Sequence, residues 1–186
     1  YLAANILSDS NTKLFFSDKG TSLYDTYAKS MTDSLLLYSK VNLNLKAVYV
    51  YHAYTHKLYN FEGEVDDAKK SELNWSAACE SMVSDYKIEL QRSKSGKVIS
   101  YVFLKRDAAS GGIVIAETDV NTVTKTLKDI SDIETDVYIM CGDEVIYQTS
   151  AEVPKELFTL ENEEEYVSGN TFYSLRISQY YDLKYA

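Results

Sequence analysis

Two stretches of the chain, about ninety residues apart, carry the same alternation of apolar and polar positions. Residues 48–59 read VYVYHAYTHKLY and residues 137–147 read VYIMCGDEVIY. Each is a β-rich tetrad, a polar gap, then an apolar residue followed by Tyr. Alternation with a period of two marks a strand, so each stretch predicts a β-hairpin.

Around these hairpins the periodicity changes. The first 45 residues follow a helical rhythm. Leu2 and Ile6 precede a polar break at 8–11, and Leu14, Phe15 and Phe16 precede a second at 17–20. Thr21 or Ser22 can then cap a longer helix. Leu23, Tyr24, Tyr27, Met31, Leu35 and Tyr38 recur at three- and four-residue steps and form one apolar stripe. The stripe suits packing within the chain or contact with a second copy, giving a homodimer.

Strands are predicted at 47–51 and 57–61. A helix follows over 65–83, with Ala68, Trp75, Cys79 and Met82 near one face. Three more strands are predicted at 87–91, 98–104 and 112–117, with Ser95-Gly96 as a turn between the first two. Asp119 can cap a further helix carrying Val120, Val123, Leu127 and Ile130. The second hairpin, 136–141 and 144–148, turns at Gly142-Asp143. A short helix at 154–158 starts with Pro154 at a tolerated first-turn position. Strands at 171–178 and 181–185 close the chain, and the acidic run 161–165 reads as a solvated loop.

The repeat therefore has an architectural meaning. The fold class is α+β: a long N-terminal helix plus two tandem modules, each an antiparallel sheet of about five strands with helical cover. The boundaries fall at 1–45 for the helical region, 46–119 for the first module and 120–186 for the second.

Charge and composition narrow the partners. The net charge of −9 argues against nucleic acid and against an anionic membrane surface, both of which need clustered Lys and Arg. No stretch is apolar enough to span a bilayer. The chain begins at Tyr1 rather than Met and reads as an excised or processed piece. Two Cys make no disulfide framework, and Cys79 and Cys141 read as separate buried thiols rather than a bridge. His52 and His56, the only histidines, lie at a predicted hairpin turn. Position 53 is Ala, so the HExxH glutamate is missing, and a solvated loop accounts for both better than a metal does. There is no Gly-rich phosphate loop, nucleophile elbow or Cys/His cluster. Neither a catalytic site nor a cofactor is expected.

The segments ILSDSNTKLFF, KAVYVYHAYTHKLYNF, the lone Trp75, ISYVFLKR, GGIVIAETDVNTVTKTL, DVYIMCGDEVIYQTS and TFYSLRISQYYDLKYA together span nearly the whole chain. In this order they resemble the double Cache sensor domain, the extracytoplasmic half of many bacterial membrane receptors. The opening stretch is most similar to sensor regions of Gram-positive histidine kinases. The resemblance implies PAS-like modules, with the first distal to the membrane and the second proximal. It also implies a small-molecule ligand in the distal module and a parent anchored by segments outside this chain. An amino-acid-binding subset of the family carries Arg, Trp, Tyr, a later Tyr and Asp around its pocket. Here Trp75 matches the Trp, but Leu73, Ser76, Leu90 and Arg92 depart from the pattern. Glu117 stands where the final Asp would be. The resemblance therefore does not support an α-amino acid, although Glu117 could receive a cationic group.

The candidate ligand residues are Trp75, Tyr101, Glu117, Tyr49 and Tyr51. Each has a plainer reading. Trp75 fits ordinary core between helix and sheet. The Tyr pairs fit cross-strand packing. Glu117 fits the surface unless its face turns inward, where it would need a partner. The leading expectation is a ligand-sensing ectodomain of a transmembrane receptor. The alternative is a non-enzymatic adhesion or protein-interaction module.

Overall fold

The structure, a computed structural model, describes residues 2–42, 44–122, 125, 138–141, 144–148, 165–168, 171–174, 176–177 and 183–185. The chain divides into two compact units, residues 1–122 and 123–186.

The N-terminal 45 residues form three helices rather than one long rod: α1 (Leu2–Ser8), α2 (Ser10–Ser17) and α3 (Tyr24–Val41). The polar breaks explain the interruptions. Asp9 caps α2 by accepting from the N–H groups of Asn11 and Thr12. Asp18 closes the next turn by accepting from the N–H groups of Gly20 and Thr21, each at 2.7 Å, and from the Thr21 hydroxyl. That hydroxyl bond, followed by the backbone ones, holds the Asp18 carboxyl below its ordinary pKa.

Six strands form one antiparallel sheet in the order β3-β2-β1-β6-β5-β4. They are β1 (Ala47–His52), β2 (Lys57–Asn60), β3 (Gly63–Glu64), β4 (Tyr86–Arg92), β5 (Val98–Arg106) and β6 (Ile113–Asp119). Both faces are covered. On one, α1, α2 and α3 bury Ile6, Phe15, Met31 and Leu35 against Val48, Val50, Tyr59 and Val114. On the other, Trp75, Cys79 and Met82 pack on Tyr49, Tyr51, Leu58, Val102, Leu104, Ile113 and Ile115. Alternation along β1 and β6 sends successive side chains to opposite cores.

The cover on that second face is not one helix over 65–83. It is two short helices, α4 (Asp67–Ser71) and α5 (Ser76–Ser81), joined through Glu72–Trp75. Asn74 lies in the joint. Its N–H donates to the Gln91 side-chain oxygen at 3.0 Å, and its own side-chain oxygen accepts from the Arg92 N–H at 2.8 Å. These bonds to the edge strand β4 take the place of helix continuation.

Gly112 leads into β6 beneath the ring of Phe16. A Cβ at this position would lie 2.4 Å from two ring carbons. Phe16 is itself buried, so moving the ring disturbs the packing of α2 on the sheet. Gly112→Ala is expected to cost roughly 1–3 kcal/mol through overpacking. Urea denaturation checks this, and an unchanged midpoint would show that α2 seats more loosely than the geometry implies.

The second unit contains β7 (Tyr138–Cys141) and β8 (Glu144–Gln148), paired as an antiparallel hairpin, with β11 (Arg176–Ile177) and β12 (Leu183–Tyr185). Their order is β11-β12-β7-β8. A separate pair joins β9 (Glu165–Ser168) to β10 (Thr171–Ser174). β9 was not anticipated, and the acidic run ends inside it at Glu165. The backbone turns helical at 120–122, and Asp119 accepts from the Asn121 N–H as the expected cap. The expected helix at 154–158, the turn residues 142–143 and the rest of the acidic run lie outside the described residues.

Candidate functional site

The two faces of the first sheet sort the candidate residues. Tyr49, Tyr51 and Glu117 point to the α4–α5 side, as strand alternation and the pairing of Tyr49 with Ile115 and of Tyr51 with Ile113 require. Trp75 lies on this side too, fully buried, its ring 5.1 Å from that of Tyr49. Tyr101 does not join them. It pairs with Thr118, while Val102 pairs with Glu117, so Tyr101 faces the N-terminal helices.

A cavity of about 400 Å³ opens on the α4–α5 side. Tyr49 and Glu117 form part of its floor. Leu73, Gln91, Arg92 and Ile99 stand around it. Trp75 and Tyr51 are not among its lining residues. Trp75 stands behind Tyr49 as core, and the Tyr51 hydroxyl is engaged by His56 Nδ1 at 2.8 Å. Burial, then the charges of Glu117 and Glu62, push the Tyr49 hydroxyl up to about 12, so it stays protonated at neutral pH.

Glu117 has the partner that its inward face demands. Lys46 Nζ lies 2.7 Å from its carboxylate and 2.9 Å from the Ser100 hydroxyl. The Glu117 side chain is 3% exposed and that of Lys46 is 39% exposed, so one end of the pair is dry and the other wet. Register makes this pairing. The Lys46 N–H donates to the Glu117 carbonyl at 2.8 Å, which places both side chains at one end of the β1–β6 ladder.

Sequence reasoning missed Lys46 and Gln91. The signal for Lys46 was present: an inward carboxylate on β6 needs a cation from the strand beside it. Gln91 carried no such signal. Its side-chain nitrogen donates to the Glu72 carbonyl at 2.9 Å, tying the cover to β4. The β4–β5 register shifts between Gln91 and Arg92, and both residues line the cavity. A bulge of this kind re-aims a side chain that simple alternation would send away.

The two histidines differ from the expected solvated loop. His56 is exposed in the turn at φ 57°, but His52 is buried at the end of β1. Its Nε2 donates to the Phe15 carbonyl at 3.0 Å, and its Nδ1 accepts from the Thr55 N–H at 3.2 Å. The Thr55 hydroxyl also meets the Tyr24 hydroxyl at 2.9 Å, and Tyr59 donates to Tyr24 at 3.2 Å. Burial lowers the His52 pKa and outweighs the Phe15 and Asp18 backbone bonds and the Asp18 charge, which act the other way.

A folded-state pKa below the unfolded value of about 6.5 means that the unfolded chain binds the extra proton first. Stability is therefore expected to fall as pH drops below about 6.5, until the folded-state value is passed. Melting temperatures of wild type and His52→Gln between pH 8 and 5 check this. The same acid slope in both proteins would remove His52 as its source.

Cys79 is a free, buried thiol pushed up to about 12, chiefly by burial. It is therefore unreactive at neutral pH. No helix among the described residues is long and apolar enough to cross a membrane.

A six-stranded antiparallel sheet, helices on both faces and a cavity on the α4–α5 side make up an α+β domain. The same fold occurs in the sensory domain of the Campylobacter jejuni chemoreceptor Tlp3 (CcmL). The two share 10% identity over 99% of this chain and 81% of that one, with a TM-score of 0.59. The periplasmic domain of RsbU from Chlamydia trachomatis aligns over 99% of this chain and 91% of its own, with 14% identity and a TM-score of 0.41. At the level of sequence, no family model and no curated protein matches the chain.

Proposed function

We propose that this chain is an extracytoplasmic ligand-sensing domain of a transmembrane signalling receptor, double Cache in organisation. In this reading the unit 1–122 is the membrane-distal, ligand-binding module and the unit 123–186 is the proximal relay. The parent is a sensor histidine kinase anchored by segments outside the chain. The carrying observation is the cavity under the α4–α5 cover, in a fold shared with a chemoreceptor sensory domain.

Strand order supports the tandem arrangement. In the first sheet the run β2-β1-β6-β5 places a hairpin beside the last two strands of its unit. In the second sheet β8-β7-β12-β11 does the same. The two hairpins that echo each other in sequence thus occupy equivalent places.

A thermal-shift screen of small metabolites of every charge class tests the sensing role. A ligand held only by the folded state at about 100 times its Kd adds about 2.7 kcal/mol, a shift of several degrees. Trp75 is the only Trp and abuts Tyr49, so its fluorescence should move with the same compound. A screen in which neither melting temperature nor fluorescence responds to anything would remove the sensing role.

A further inference from the structure

We propose that the cavity under the α4–α5 cover takes a small organic carboxylate that has no ammonium group. The assignment rests on the sensing role proposed above and narrows it to one chemical class.

Charge carries the first part. The chain as a whole is strongly acidic, at −9. The cavity inverts that balance. Lys46, Lys69, Arg92 and Lys94 line it, against the two carboxylates Glu72 and Glu117. Glu72 is exposed at the rim. Glu117, the only buried acid of the site, already holds the Lys46 ammonium at 2.7 Å. A ligand's own ammonium would have to displace Lys46 from a carboxylate that is 3% exposed. Lys46 thus occupies from within the position a cationic ligand would need.

The second part is an unused donor. Tyr49 is 6% exposed and lines the cavity. Its hydroxyl has no hydrogen-bond partner among the described residues. The hydroxyl is open to the cavity rather than sealed in the core, so an anion's oxygen there would gain a charge-assisted bond from it. At the mouth, Lys94 is exposed and has no ion-pair partner among the described residues.

The third part separates a carboxylate from an inorganic anion. Ala47, Leu73, Ile99 and the ring of Tyr49 also face the space. These apolar groups match a carbon skeleton, and the volume of about 400 Å³ lies at the small end of ligand sites.

The test uses the 186-residue chain at constant ionic strength. Succinate, butyrate, inorganic phosphate, putrescine and L-alanine are titrated in turn, with Trp75 fluorescence and melting temperature as readouts. The expected result is saturable binding of succinate or butyrate, with phosphate at least about tenfold weaker. Tyr49→Phe removes only the unpartnered hydroxyl and should melt like wild type when unliganded. It should weaken the bound carboxylate about tenfold or more, as should Lys94→Glu. If phosphate matches the carboxylates and Tyr49→Phe has no effect, the site attracts an adventitious ion only and the assignment is overturned. Binding of putrescine or alanine in place of the carboxylates overturns the carboxylate class while leaving the sensing role standing. Silence toward all five probes also overturns the class. Only silence in the wider metabolite screen as well removes the sensing role.

Discussion

Replacing Trp75 with alanine is expected to cost about 3–5 kcal/mol, as large-to-small changes at fully buried aromatics do. Trp75 is 0% exposed and sits at the centre of the core formed by Tyr49, Cys79, Met82 and Ile115. It is also the residue from which α5 departs, so its loss leaves a cavity at the joint of the cover. The stability of a domain is about 5–15 kcal/mol, so the change takes a large share of it. Trp75→Phe should behave differently. The indole N–H has no partner among the described residues, so removing it forfeits no hydrogen bond. A phenyl ring keeps most of the contact with Tyr49, and the cost should fall to about 1–2 kcal/mol. Urea denaturation followed by circular dichroism distinguishes the two. Equal losses in both variants would show that the indole N–H makes a stabilising bond.

The next largest effect is expected at Lys46. Lys46→Met strands the Glu117 carboxylate in a buried position. Breaking a fully buried pair costs about 3–5 kcal/mol; here water reaches the lysine end, so about 2–3 kcal/mol is expected. The double change Lys46→Met/Glu117→Gln should recover most of that loss, because the penalty comes from the unpaired charge and not from the missing attraction. A double-mutant cycle isolates the pairwise term. A single Lys46→Met within about 0.5 kcal/mol of wild type, the range of ordinary surface changes, would mean that water already reaches Glu117.

Both residues belong to parts of the molecule that the sequence foretold unequally. The strands were legible because alternation is a local signal. Val48-Tyr49-Val50-Tyr51 reads as a strand with two different faces, and both faces are buried. Spacing puts Glu117 on one strand face with Ile113 and Ile115 but leaves open which way that face turns; packing of the α4–α5 cover on it decides. The single helix expected over 65–83 was not realised, because Asn74 and Gln91 are distant in sequence and their bonds override local propensity. His52 was read as solvated for a similar reason. Nothing near it in sequence shows that the Phe15 carbonyl, on α2, would accept its proton. Tyr101 went to the face opposite Glu117 because cross-strand register, and not its own neighbours, decides its side. The cations around the cavity were individually visible but collectively silent, since they arrive from just before β1, from α4, from the end of β4 and from the β4–β5 connection.

One strand, β1, has a consequence for how a bound molecule would be felt. Tyr49 looks into the chamber, while Val48 and Val50 on either side of it are already embedded among the helices. The diaphragm between the two compartments is a single backbone thick. A push on the tyrosine ring needs no relay of intermediate side chains to reach α3, because adjoining peptide units carry both.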